Sequence, residues 1–345
     1  MQSPSLGLGK VPAPMLGELL ERFGARSRRV LTPPAPGEDA AAVLSRLPCT
    51  VTAMNPVIDE VERLGHEVVH RNANAVATRG ADPSWFLFTL LLPPQSADPS
   101  AIEAVFHQVS DACLAVGAEL IGGHTEVTEQ VTQPVAVGTM IGEITTFRLT
   151  ATRSARQGNA IVMIGACGEY GTGLLAQRHS AALERHGVPA TAVAQARAFL
   201  EPARRSIVPA VRVAMAQGHP HAMHDLTDGG LVASLHDLAR LAEVGVEIDE
   251  SAVPVRPETQ AICTSLGLDP WRLLSFGTLL LCVDEIDVEA LLQACSAAAI
   301  EAFHVGRVVS PELGLHRVSA NGTRTEIAAC HQDELHRFEQ GQRPH

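Results

Sequence analysis

The sequence predicts a mixed α/β protein of two domains, and three observations predict it. The chain has 345 residues, about twice the length of an ordinary domain. Short apolar runs alternate with longer segments whose apolar residues recur every three to four positions, as strands alternate with amphipathic helices. The order of pieces before position 150 returns after a polar linker at 152–158. The return includes the closing fragments Val137-Gly138-Thr139-Met140 and Val305-Gly306-Arg307-Val308. An internal duplication of one sheet-and-helix unit is therefore expected, with a first domain at 35–150 and a second at 158–320.

Residues 1–34 read as a flexible Gly/Pro-rich lead with one helical stretch at 15–23. The segment Gly37-Glu38-Asp39-Ala40-Ala41-Ala42-Val43 follows, then an apolar run at 49–53 that reads as a buried strand. Apolar side chains at 57, 61, 64, 68 and 76 suit an amphipathic helix over 57–79. The apolar run 85–92, bounded by Pro83 and Pro93, predicts a central strand covered on both faces. A helix at 99–116 carries the stripe Ile102, Val105, Phe106, Val109 and Cys113, with Gly117 as its C-cap. Strands are expected at 119–121, opening into a glycine turn, and at 134–144. In the second half a strand at 160–165 leads into a glycine turn at 168–174. Helices follow at 189–200 and 204–216, then a strand at 222–225 and a helix ending near 241. A strand at 278–283, a helix at 288–299 and a strand at 303–308 complete it. The polar tail, 321–345, is expected to fray after Ala329.

Composition narrows the function. Hydrophobic residues at 46% and charged residues at 19% argue against disorder. Aromatic residues are only 3%, so Ala, Val and Leu must fill the core. The formal charge of −12, with no basic cluster, disfavours nucleic acid as a partner. No apolar run reaches the ~18–20 residues a membrane span needs, and positions 1–10 lack a signal-peptide pattern. The seven Cys form no C-x-x-C and are odd in number, which suits buried thiols in a reducing, cytoplasmic setting.

Four segments can carry chemistry. Gly122-Gly123-His124-Thr125-Glu126 follows a strand; paired glycines let a backbone approach an anion closely. His124 and Glu126 share a face of an extended chain. A hairpin turn is its bland alternative. Gly37-Glu38-Asp39 puts carboxylates after a glycine, where Mg²⁺ and phosphate oxygens can be held; a solvated turn would look the same. In His224-Asp225-Leu226-Thr227-Asp228-Gly229-Gly230-Leu231, Asp225 ends a strand and Thr227 can cap a helix whose N-terminus could take an anion, or simply be capped. Gly168-Glu169-Tyr170-Gly171-Thr172-Gly173 holds the only Tyr and can face a ligand or merely connect strand to helix. His219, His221 and His224 look like a metal cluster, but no carboxylate or Cys completes the set.

Together, in this order on two matching halves, these segments resemble the superfamily of aminoimidazole-ribonucleotide (AIR) synthase. Its other members include selenophosphate synthetase, thiamine-monophosphate kinase and the hydrogenase-maturation factor HypE. The likeness covers about 7–320 and is nearest to HypE-like, AIR-synthase-related proteins. Gly80-Ala81-Asp82-Pro83 and Gly267-Leu268-Asp269-Pro270 add to the matching text. The resemblance implies the PurM-like fold, an α/β (α+β) architecture with a four-stranded sheet in each half. The N-terminal sheets of a homodimer would close into a β-barrel, and ATP with Mg²⁺ would lie in a cleft near the glycine turns. It implies ATP-dependent phosphorylation and dehydration of an amide- or thiocarboxamide-type carbonyl, in hydrogenase maturation for HypE itself, and a maturation partner protein. It implies roles as well. Asp39, Asn55, Asn74, Gly122, Gly123, Thr125 and Asp228 would bind the nucleotide, Asp39 and Glu126 the metal, and His124 and Asp225 would be catalytic.

The departures carry a rival reading. Active relatives place acids where this chain has Asn55, Ala75 and His124, so Mg²⁺ would hold ATP weakly unless Asp59, Glu126 or another carboxylate substitutes. The chain also has no terminal Cys of the kind HypE modifies, Cys330 lying short of the last residue. A catalytically impaired paralogue that binds a ligand or partner is the alternative.

Overall fold

A computed structural model of the chain describes residues 9–10, 13–32, 42–43, 49–59, 61–144, 149–218, 220–330 and 332–341. Asp39 and His219 lie outside the described residues. The chain divides into two compact units, Met1–Leu149 and Thr150–His345.

In the first unit, strands β1 (Gly9–Lys10), β2 (Val30–Thr32), β3 (Ala42–Val43), β4 (Cys49–Ile58), β5 (Asp82–Leu92), β6 (Glu119–Val127) and β7 (Val135–Ile144) accompany helices α1 (Ala13–Phe23), α2 (Val61–Ala77) and α3 (Pro99–Val116). The main sheet has five strands in the order β1-β6-β5-β7-β4, not the four expected, because the short β1 adds to the β6 edge. Only β5 and β6 run parallel, joined through α3. This sheet is open; it does not close into a barrel within the chain.

Local signals fix α3. The Asp98 carboxylate accepts from the Ala101 amide at 2.9 Å, Pro99 occupies the first turn, and Gly117 closes the helix at φ +85°. Helix α2 crosses α3 at Gly65. A Cβ there would sit 2.5 Å from the Val105 carbonyl, so only glycine permits the approach. Gln108 seals the crossing by accepting from Gly65 N and donating to Val61 O, both at 2.9 Å.

Two expectations shift here. The first strand runs to Ile58, so Val57 belongs to β4 and α2 begins at Val61; a continuous ten-residue pairing with β7 holds Asn55, Pro56 and Val57 extended. Among the described residues the apolar run in β5 is covered on one face only. Phe86, Phe88, Leu90 and Leu92 are buried, whereas Leu87 and Leu91 are half-buried. They share their open face with half-buried Val135, Val137 and Ile141, and with Met54 and Ile58, 66% and 63% exposed.

In the second unit, β8 (Asn159–Ile164), α4 (Glu169–Arg178), α5 (Ser180–Arg185), α6 (Ala190–Arg197), α7 (Val208–Gln217), β9 (Ala222–Leu226), α8 (Gly230–Ala242), β10 (Gly245–Asp249), α9 (Pro257–Leu266), β11 (Thr278–Asp284), α10 (Val288–Ala297), β12 (Ala302–Val309), β13 (Leu315–Val318), β14 (Arg324–Glu326) and α11 (Glu334–Gly341) follow in order. The sheet order is β14-β13-β10-β12-β8-β11-β9. The two units share strand–helix alternation but not strand number or order. The segment 168–174 is the start of α4, not a turn. Gly171 and Gly173 sit in that helix because Leu273 and Leu200 press against it, 2.6 and 2.8 Å from where their Cβ atoms would be. The tail does not fray throughout: α11 buries Leu335 and Phe338 in the cluster that holds Tyr170, Leu175 and Ile262.

Candidate functional site

Strand β6 is where the sequence places most of its chemistry, and its geometry differs from the turn expected there. It runs through Gly122-Gly123 as continuous strand, with a one-residue register shift that sets Leu120 opposite Phe86 and Gly122 opposite Leu87. From there the sheet reads in rows across β4, β7, β5 and β6. Asn55, Gly138, Phe88 and Gly123 form one row; Pro56, Val137, Thr89 and His124 form the next; Val57, Ala136, Leu90 and Thr125 the third; Ile58, Val135, Leu91 and Glu126 the fourth. Successive rows face opposite sides of the sheet.

This register separates residues that the sequence groups together. Asn55, Gly123 and Thr125 lie on the face that α2 and α3 cover. Gly122, His124 and Glu126 lie on the open face. His124 Nε2 and Glu126 Oε2 are 3.0 Å apart, both side chains part-exposed. The pair leaves His124 one ring nitrogen for another partner. Glu126, proposed from sequence as a metal ligand, is thus engaged by a neighbouring side chain.

On the covered face the structure brings Asn55 together with a residue the sequence argument missed. Asn55 Nδ2 donates to Asn72 Oδ1 at 3.3 Å, and Asn72 Nδ2 donates to Asn55 O at 3.2 Å and to Val68 O at 2.7 Å. Asn72 and Asn74 are both fully buried on α2. The only sequence sign of Asn72 is Gly138, a glycine inside a strand, which marks a close approach. A Cβ at 138 would lie 2.5 Å from Asn72 Nδ2.

Asp59, the other carboxylate offered as a metal ligand, is held by Arg63. Its Oδ1 accepts from Arg63 Nη2 at 2.6 Å and its Oδ2 from Nε at 3.2 Å, with both residues buried. Ala75 has no side-chain oxygen. Among the described residues, no three His, Cys, Asp or Glu side chains converge as a metal site. These residues do not fit a magnesium cage of carboxylates.

In the second unit, Asp225 sits near the end of β9 opposite Leu279, and Asp228 is exposed in the turn before α8. Thr227 does not cap α8; Gly229, at φ +76°, is its N-cap. The amide expected to receive an external anion already has an acceptor. Asp333 Oδ2 takes the Gly229 N–H at 2.6 Å, and its Oδ1 takes that of Leu335 at 2.8 Å. Burial pushes the Asp333 carboxyl above its usual range. Tyr170 is core rather than ligand-facing: its ring meets Phe276 edge-on at 5.4 Å, and the Arg205 guanidinium lies 4.2 Å from its centroid. His221 pairs with Asp284 at 3.0 Å and His224 with Thr152 at 3.2 Å, so these two do not share one metal. The seven cysteines are free. Burial pushes Cys263 and Cys282 up to about 12 and Cys113 and Cys167 higher still, so none of these four is a thiolate nucleophile near neutral pH. Among the described residues no helix is long and apolar enough to cross a membrane.

Two family models match the chain in succession: the AIR synthase related protein N-terminal domain over 37–144 and its C-terminal domain over 156–316. The carbamoyl dehydratase HypE of Cupriavidus necator is 30% identical over 260 residues, which is 74% of this chain and 70% of that one. A crystal structure of the hydrogenase maturation protein HypE in complex with ATP matches at TM-score 0.74 and 25% identity, covering 87% of this chain and 90% of that one. The crystal structure of Escherichia coli HypE matches in fold at TM-score 0.80 and 21% identity, over 94% and 99%.

Proposed function

The chain belongs to the AIR synthase related protein family, and from that premise we propose that it is an ATP-dependent enzyme of the carbamoyl dehydratase type. The observation that carries this reading is the likeness to a HypE solved with ATP, at TM-score 0.74 over 87% of the chain. In the reaction proposed, the carbonyl oxygen of an amide-type acceptor attacks the γ-phosphorus of ATP and ADP departs. The carbon–oxygen bond then breaks with inorganic phosphate as leaving group. The nitrogen loses two protons and the C≡N bond forms. Phosphorylation turns a poor oxygen leaving group into a good one.

The chain's own residues would divide the work. On the covered face of the first unit, Asn55 would contact one end of the nucleotide, and Gly123, three strands across the same row and with its backbone exposed, another. Thr125 and the buried Asn74 would shape that pocket, and the family likeness implies that Asp39 binds nucleotide and metal. His124 and Glu126 pair on the other face of the sheet from that pocket, so the proton-transfer role that the family likeness implies for His124 would require the acceptor on that face. Gly122 would offer that face its backbone. In the second unit, Asp225 and Asp228 would keep the catalytic and ligand-binding roles that the family likeness implies. Any magnesium would be carried by the phosphate oxygens of the nucleotide. The free thiols suit a cytoplasmic setting, and a maturation partner protein belongs to this proposal.

A homodimer belongs to it too. Apolarity along β5 calls for cover on both faces, and the described residues supply one. A second copy laid on the open face, over Met54, Ile58, Leu87 and Leu91, would bury the rest. Sedimentation should give twice the chain mass, and Ile58→Glu with Met54→Glu should give a folded monomer; a monomeric wild type would exclude the dimer.

Calorimetry with Mg·ATP, followed by phosphate release with S-carbamoylcysteine as acceptor, tests the activity. One nucleotide per chain and acceptor-dependent phosphate release are expected. No binding would overturn the nucleotide reading. Binding without turnover would favour a ligand-binding paralogue, the second reading, which the engaged Asp59 and Glu126 and the bare Ala75 support.

A further inference from the structure

We propose that Asn72 is a positioning residue of the nucleotide site, which turns Asn55 so that its side-chain carbonyl is the free end and serves a hydroxyl or amino group of the nucleotide rather than a metal ion. The proposal rests on the nucleotide reading above and deepens it.

The argument begins with Asn72, which is fully buried. Its amide nitrogen lies 2.7 Å from Val68 O and 3.2 Å from Asn55 O. Backbone carbonyls only accept, so the NH₂ end of Asn72 must point at them. That leaves Asn72 Oδ1, an acceptor, facing the side chain of Asn55 at 3.3 Å. An acceptor there requires a donor, so Asn55 turns its own NH₂ inward. Asn55 Oδ1 is then the end without a donor among the described residues.

The device extends across the sheet. Asn72 reaches β4 only because position 138, beside Asn55 in the same row, has no side chain. Both ends of the Asn72 amide are committed, so it cannot flip without setting Oδ1 against Val68 O. An aspartate at 55 would therefore put a carboxylate oxygen against Asn72 Oδ1 with no donor to separate them. Position 55 is built for an amide. An amide carbonyl is neutral, which suits an N–H or O–H donor and makes a poor ligand for Mg²⁺.

Calorimetric titration of ATP into wild type, Asn55→Ala, Asn72→Leu and the double variant tests this. Asn72→Leu keeps the branched side-chain shape while removing the amide. Each single change should raise Kd about 10-fold, as expected for one lost hydrogen bond. The double variant should also show about 10-fold rather than 100-fold, because Asn72 acts through Asn55. Multiplying losses, or an Asn72→Leu protein that binds as wild type does, would overturn the proposal. Absence of binding by wild type would instead fell the nucleotide reading itself. Asn55→Asp gives a second measure. It should melt at a lower temperature than wild type and bind ATP more weakly at every magnesium concentration. A gain in magnesium-dependent affinity would show that position 55 takes a metal ligand, against the proposal.

Discussion

Gly123→Ala should cost about 3 kcal/mol or more of stability, whereas Gly122→Ala should change it by no more than about 0.5 kcal/mol. The two glycines are neighbours, yet different things hold them. Gly123 adopts φ +156°, and a Cβ there would lie 2.0 Å from the Phe88 carbonyl oxygen. No rotamer of alanine relieves a clash with backbone on the adjacent strand. The β5–β6 ladder would have to part, next to the buried stack of Phe86 and Phe88. Gly122 projects to the open face, where the nearest atom is Leu87 Cδ2 at 3.5 Å, an ordinary contact. Urea denaturation of both variants checks the contrast. Equal losses would mean that the register through β6 is misplaced. If Gly122→Ala then weakens ATP binding while leaving stability intact, Gly122 contributes to the ligand and Gly123 to the sheet.

This contrast shows what the sequence could disclose. A Gly-Gly pair after a strand usually signals a chain reversal, so 122–126 reads as a turn. The glycine is there instead because two backbones approach closely, and no local pattern distinguishes these causes. Helix α3 was legible because Asp98, Pro99 and Gly117 act within a few residues of their own positions. The apolarity of β5 implied cover on both faces, whereas the described residues bury one; an apolar run alone does not distinguish a strand packed on both faces from one packed on a single face. Gly171 and Gly173 hid a helix for the same reason that Gly123 hid a strand: in α4 they make room for Leu273 and Leu200. The tail looked loose because Leu335 and Phe338 are a thin stripe among polar residues. Asn72 carried no motif, and its partner lies 17 positions away on another element. The sequence grouped His124 with Asn55 through family likeness. Their assignment to opposite faces depends on a register counted across four strands.

Gly138→Ala should cost about 2–3 kcal/mol in the wild-type background and at least about 1 kcal/mol less in an Asn72→Ala background. A Cβ at 138 meets Asn72 Nδ2 at 2.5 Å and the Phe86 ring at 2.8 and 2.9 Å. The ring is held among Phe88 and the helix-facing core, so it yields little. The amide yields only by giving up its bonds to Val68 O and Asn55, each worth about 1 kcal/mol. Asn72→Ala removes those bonds beforehand and opens the space the new methyl needs. The methyl then pays only for Phe86, and the two losses fall short of their sum. Urea midpoints for the four proteins give the coupling directly. A full additive loss would mean that Asn72 and position 138 do not share this space. In that case the amide orientation at 55, and the neutral acceptor it presents, would lose their structural support.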